Sequence, residues 1–161
     1  MFRRSLPRLL HDDHLTTMSL LDRIDAVVLA RRTPPAVDDA EFAAVARRIE
    51  TTFADEVERH FGFEEDALFP FLTERGEADI GMVLSEEHAI IREAGADIAG
   101  ALAAYRATPD AATWTAVRRL CGEMAERMAN HIQKEEMALL PLIDEWLDDG
   151  SDSDLVARLL A

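Results

Sequence analysis

The chain has 161 residues, with 17 Lys and Arg against 32 Asp and Glu, a net charge of −15 and a pI near 4.6. That length supports one domain with its own core, and the charge excludes nucleic acid and anionic membrane surfaces as partners, since both select basic patches. A single cysteine, Cys121, rules out an internal disulfide, and no apolar run is long enough for a signal peptide or a membrane span, so a cytoplasmic protein is expected.

Few glycines and prolines beside abundant alanine and leucine favour helices throughout. The first helix is expected to open at Ser5-Leu6-Pro7, with Ser5 as cap and Pro7 in the first turn. Leu10, His14, Met18, Leu21 and Val28 trace its inward face, and Thr33-Pro34-Pro35 ends it. The second opens after Asp38-Asp39, and its apolar stripe of Phe42, Val45, Ile49, Phe53 and Val57 runs on through His60, Glu64, Leu68 and Phe71. Pro70 is expected to loosen the last turn, and Gly76 to mark the exit. The third covers about Ala78 to Arg106, with Leu84, His88, Ile91, Gly95, Ile98, Leu102 and Tyr105 on one face, and Thr108-Pro109-Asp110 breaks it. The fourth runs to about Leu147 with Val117, Cys121, Met124, Met128, His131, Glu135, Leu139 and Leu142 aligned.

Beyond it, Ser151 to Asp154 can cap a short helix ending at Ala161. Six of the eleven residues from Asp144 to Asp154 are acidic, which reads as a solvated surface. The expected architecture is an all-α, antiparallel up-down-up-down four-helix bundle over residues 1–150, with a short C-terminal helical tail over 151–161.

The bundle carries a repeat. His60-Phe-Gly-Phe-Glu64-Glu65-Asp-Ala-Leu68-Phe69-Pro70 and His131-Ile-Gln-Lys-Glu135-Glu136-Met-Ala-Leu139-Leu140-Pro141 match 71 residues apart, and Asp13-His14 and Glu87-His88 match 74 apart. Each half is a helix bearing one inward His followed by a helix bearing His-x-x-x-Glu, whose two side chains share a face one turn apart. Any one of these histidines alone reads as a satisfied core residue. The set does not, because Glu64 and Glu135 lie on the same stripes with no Lys or Arg beside them. Burying two carboxylates without a cation costs several kcal/mol each. Imidazole and carboxylate are preferred ligands of iron, manganese and zinc in helical bundles, and two carboxylates can bridge two metal ions.

This pattern, His14; His60-x-x-x-Glu64; His88; His131-x-x-x-Glu135, with Glu-Glu-x-x-Leu-Phe-Pro after His60, resembles the hemerythrin-like, or HHE cation-binding, family from about Leu10 to Leu147. The resemblance implies two iron ions, oxo- or hydroxo-bridged, with His14 and His60 holding one, His88 and His131 the other, and Glu64 and Glu135 bridging. It also implies a partner that is a small diatomic ligand or peroxide: a non-haem di-iron protein that binds dioxygen, nitric oxide or peroxide in sensing, storage or detoxification. The alternatives are a di-iron enzyme with peroxidase/catalase-like or ferroxidase activity, or an iron storage or donation protein. The redox partner and oligomeric state stay open. Two departures from the oxygen carriers of the family stand out: Leu84 replaces a second His one turn before His88, and Glu135 stands four residues after His131 where those proteins have an Asp at five. Two His per iron leave an extra open position, which favours chemistry over simple carriage.

Several neighbours have humbler expected roles. His11, about 60° around the helix from His14, is a rim residue that could compete as a ligand. Cys121, ~15 Å along the helix from His131, is a buried filler. Met18, Leu84, Met124 and Met128 are core residues that could wall a dry pocket. Glu65 and Glu136 flank the ligand carboxylates, and Trp114 and Trp146 are packing aromatics.

Overall fold

A computed structural model describes residues 2–161. In it α1 runs over Ser5–Ile24 and widens into a π turn at Asp25–Leu29. α2 is a composite of Ala40–Thr51, a π turn Thr52–Glu56, Val57–Phe63, a second π turn Glu64–Leu68, and Phe69–Thr73. α3 is the uninterrupted Asp79–Ala107. α4 joins Ala111–Lys134, a π turn Glu135–Leu139 and Leu140–Trp146, and α5 is Asp149–Leu159. Every regular element among the described residues is helical, as the composition predicts. No helix among them is long and apolar enough to cross a membrane.

The cross-helix ion pairs fix the antiparallel order. Glu50, Glu58 and Glu65 of α2 meet Arg106, Arg92 and His88 of α3 in reverse sequence. Asp144 near the end of α4 meets Arg3 before α1, while Arg118 near the start of α4 donates to the Leu29 carbonyl at the end of α1.

Most helix ends follow local chemistry. Asp39 caps α2 by accepting from the Phe42 N–H at 2.9 Å, and Asp110 closes a capping box with Thr113 at the start of α4. Gly76 takes a positive φ of 91° at the exit of α2. α1 departs from expectation: Ser5 is its first helical residue, and the capping position, Arg4, offers no side-chain bond. The free N–H groups are satisfied instead from the far end of the chain. Asp144 accepts from the Arg3 and Arg4 N–H groups at 2.7 and 2.8 Å, and Asp152 from those of Ser5 and Leu6 at 3.0 and 2.9 Å. A carboxylate also complements the positive end of the helix dipole, which a serine cannot do. Asp152 is buried as a result, so the acidic run is not merely a solvated surface. At α5 the cap is Asp148, with Ser151 completing the box, and the helix begins before Ser151.

The two π turns at Glu64 and Glu135 have a common cause. Pro70 and Pro141 lack an N–H and crowd the carbonyl four residues back, so the preceding residues, Phe69 and Leu140, bond five back, to the carbonyls of Glu64 and Glu135. The extra residue in each turn shifts the inward stripe by one. Leu72 and Ile143 are fully buried, whereas Phe71 and Leu142, expected on the stripe from a constant helical period, are only half-buried.

The core divides into two apolar clusters. One holds Leu21, Ile24, Phe42, Val57, Phe61, Ile91, Ile98, Tyr105, Trp114, Cys121, Met124 and Met128; the other holds Leu6, Leu10, Phe63, Leu68, Leu84, Leu139, Ile143 and Leu155. On every long helix the His falls where one cluster gives way to the other: between Leu10 and Leu21, Val57 and Phe63, Leu84 and Ile91, Met128 and Leu139. The polar residues thus form a layer across the middle of the bundle. Trp114 packs edge-on against Phe42 and donates its indole N–H to the Arg31 carbonyl at 3.0 Å.

Asp152→Ala should leave the buried Leu6 N–H without an acceptor and remove the α1 cap. A loss of about 1–2 kcal/mol in urea unfolding is expected. An unchanged midpoint would show that α1 does not depend on α5.

Candidate metal centre

The structure brings all six expected residues together. Glu64, His88, His131 and Glu135 each offer an atom within 4.8 Å of the others, and so do His14, His60 and Glu135. The two carboxylates stand between the two pairs of imidazoles. Glu64 presents Oε1 to His60 Nε2 at 3.3 Å and Oε2 to His88 Nε2, also at 3.3 Å. Glu135 presents Oε2 to His14 and His60 Nε2 at 2.7 and 3.8 Å, and Oε1 to His131 and His88 Nε2 at 2.8 and 3.8 Å. Glu135 thus presents one oxygen to each pair, and Glu64 one oxygen to His60 and the other to His88.

These are not hydrogen-bonding geometries. Both oxygens of Glu64 and of Glu135, and Nε2 of His14, His88 and His131, are buried with no hydrogen-bond partner. Native proteins rarely leave such atoms orphaned, because each costs ~1–3 kcal/mol or more when charged. Both glutamates are fully buried. Lone pairs converge from Glu64, His88, His131 and Glu135 on one side and from His14, His60 and Glu135 on the other, donor sets that divalent iron, manganese or zinc satisfies. The residues fit a pair of metal ions.

Electrostatics of the metal-free chain point the same way. Burial pushes the His88 imidazolium down, but the Glu135 and Glu64 carboxylates outweigh it and raise its pKa to about 9. Against the same effect of burial, Glu135 holds His14 above the ordinary value, and Glu64 with Asp13 holds His60 well above it. Burial should raise Glu135, yet His131, His14, His60 and His88 around it keep it well below the usual carboxylate range. Metal binding to these imidazoles and carboxylates must displace protons.

Each imidazole turns its other nitrogen, Nδ1, outward to a carboxylate. His14 meets Glu136 at 2.6 Å, His60 meets Asp13 at 3.3 Å, His88 meets Glu65 at 2.8 Å and His131 meets Glu87 at 3.0 Å. Such partners fix the tautomer and the ring orientation, leaving Nε2 free as a ligand. The pairing crosses between helices and obeys the internal repeat: the acid before each single His serves the next helix's His, and the acid after each Glu serves the other half's single His. Glu65 and Glu136 were expected to flank the site; the roles of Asp13 and Glu87 were missed, although both belong to the repeated Asp-His and Glu-His pairs.

A further layer neutralises these acids. Arg59 donates to Asp13 at 3.0 Å, Arg92 to Glu65 at 2.8 Å, and Lys134 pairs with Glu87. His11 sits at 2.9 Å from Glu136, so its Nδ1 is engaged outside the centre and it does not join the converging atoms. Phe61 lies flat on His88, with ring centroids 3.7 Å apart and planes at 7°, and Phe69 lies nearby at 5.8 Å. Leu84 faces inward one turn before His88 but belongs to the apolar cluster of Leu10 and Leu139.

A cavity of about 300 Å³ opens onto His14, His60, His131 and Glu135, walled by Val57, Phe61, Met128 and Ile132, with Asp13 and Arg59 also in its lining. Of the four residues expected to wall a pocket, only Met128 does so. Cys121 is buried in the apolar cluster of Phe42 and Trp114, and burial pushes its thiol up to about 12, so it is inert filler.

A model of the hemerythrin HHE cation binding domain matches residues 5–143. No curated protein matches the chain.

Glu65→Ala should release His88 from its outer acceptor and weaken metal binding by about 10- to 100-fold, measured by chelator competition. The exposed Glu93→Ala is the control and should change nothing. Equal affinities for the two variants would mean that the outer carboxylates do not orient the ligands.

Proposed function

The chain belongs to the hemerythrin HHE cation-binding family, and on that premise we propose that it is a di-iron protein that takes up dioxygen, nitric oxide or peroxide, in sensing, storage or detoxification. His14 and His60 would hold one iron and His88 and His131 the other, with Glu64 and Glu135 spanning both. Bound there, iron would supply a Lewis-acidic, redox-active pair with coordination positions that the protein leaves free.

The observation that carries the reading is the cavity. It borders His14, His60, His131 and Glu135 but not His88 or Glu64, and about 300 Å³ lies at the small end for ligand pockets. Its apolar wall of Val57, Phe61, Met128 and Ile132 favours weakly hydrated, compact ligands. On the opposite side, Leu84, Leu68 and Leu139 are at most 1% exposed, so that side is closed by packing. Asp13 and Glu136 hold His60 and His14 by their outer nitrogens, which keeps both rings facing the cavity end of the centre.

The internal repeat supplies a test. Ile132 corresponds to Phe61, the ring stacked on His88 in the other half. Ile132→Phe should lay a second ring against the wall of the cavity, at a cost of about 1–3 kcal/mol from overpacking. Iron content should be retained, and stopped-flow association of nitric oxide with the reduced, iron-loaded protein should slow markedly. Unchanged association would mean that ligands do not use this cavity, and failure of the parent protein to bind any of the three ligands would remove the reading altogether.

A further inference from the structure

We propose that Thr17 is the hydrogen-bond donor to a small ligand held in the cavity, and so helps set which ligands are retained; this rests on the di-iron reading above. Thr17 lies one turn beyond Asp13 on α1 and is half-buried in the cavity lining. The other polar side chains there have partners of their own or belong to the metal centre. Asp13 accepts from Arg59 at 3.0 Å and faces His60, and the outer nitrogens of His14 and His131 are held by Glu136 and Glu87. The neighbouring Thr16 donates to the Asp12 carbonyl at 3.1 Å.

The Thr17 hydroxyl makes no hydrogen bond among the described residues. A helical threonine's hydroxyl often donates to the carbonyl four residues back, although Thr52, like Thr17, does not. Thr16, Thr73 and Thr115 all do so, at 3.1, 2.9 and 2.7 Å. Thr17 therefore offers an uncommitted hydroxyl beside the apolar part of the wall, while Arg59, also in the lining, is half-exposed and turned to Asp13. The ligand it would favour carries an acceptor atom at its far end once bound, such as a bent diatomic, a peroxide oxygen or the terminal nitrogen of azide. A purely apolar gas gains nothing from it.

The test uses azide on the iron-loaded, oxidised protein, comparing the parent with Thr17→Val, which removes the hydroxyl at nearly constant shape, and Thr17→Ser, which keeps it. Kd is read by absorption and the azide stretch by infrared, because the stretch reports a hydrogen bond to the ligand rather than packing. Thr17→Val should raise Kd roughly tenfold and shift the stretch, with iron content unchanged, and Thr17→Ser should stay close to the parent in both. A Thr17→Val protein matching the parent in Kd and stretch overturns the proposal, as does a Thr17→Ser protein that loses as much as Thr17→Val. If the valine variant loses iron, Thr17→Ala decides by the same two readouts. A parent protein that binds iron but no azide removes the ligand-binding reading as well, whereas azide binding indifferent to Thr17 removes this proposal alone.

Discussion

The bundle depends on the burial of two carboxylates. Glu64 and Glu135 are fully buried at the centre, their oxygens without hydrogen bonds and faced by four imidazoles. In an apolar interior such groups cost several kcal/mol each unless a compensating charge lies beside them. The arrangement therefore makes sense as a state completed by metal. The apolar clusters above and below supply the fold's bulk stability, and the polar layer between them supplies its chemistry.

Around that layer the charges alternate outward. Inner carboxylates meet imidazoles, imidazoles meet Asp13, Glu65, Glu87 and Glu136, and these meet Arg59, Arg92, Lys134 and His11. The first two rings follow the internal twofold repeat; the outermost does not. Arg92 has no counterpart in the other half, where Met18 stands at the equivalent position, and Phe61 is matched by Ile132. A symmetric ligand set thus sits in an asymmetric setting. His14, His60 and His131 face an open cavity, while His88 is stacked under aromatic rings. Divergence between the halves outside the ligands gives the two positions different surroundings.

Much of this was legible in the sequence because it rests on period and repetition. The inward stripes placed His14, His60, His88 and His131 on four helices, and the His-x-x-x-Glu spacing put Glu64 and Glu135 beside two of them. What escaped the sequence depends on tertiary geometry or on broken periodicity. A constant helical period cannot foresee that Pro70 and Pro141 force π turns, so Phe71 and Leu142 were assigned places that Leu72 and Ile143 occupy. The α1 cap lies some 140 residues away at Asp144 and Asp152, beyond any local rule. The outer carboxylates were visible only as acids next to ligands. Their crossed pairing needs the helices side by side, although the repeat of Asp13-His14 and Glu87-His88 carried the signal.

The central claim is that this chain holds a dinuclear site built on Glu64 and Glu135. Anaerobic titration of the metal-free protein with ferrous ion, followed by thermal unfolding at each point, tests it most directly. The account predicts saturation at about two ions per chain, with the melting temperature rising until that point because metal binds the folded state. Saturation at one ion, or a melting temperature indifferent to iron, would contradict it.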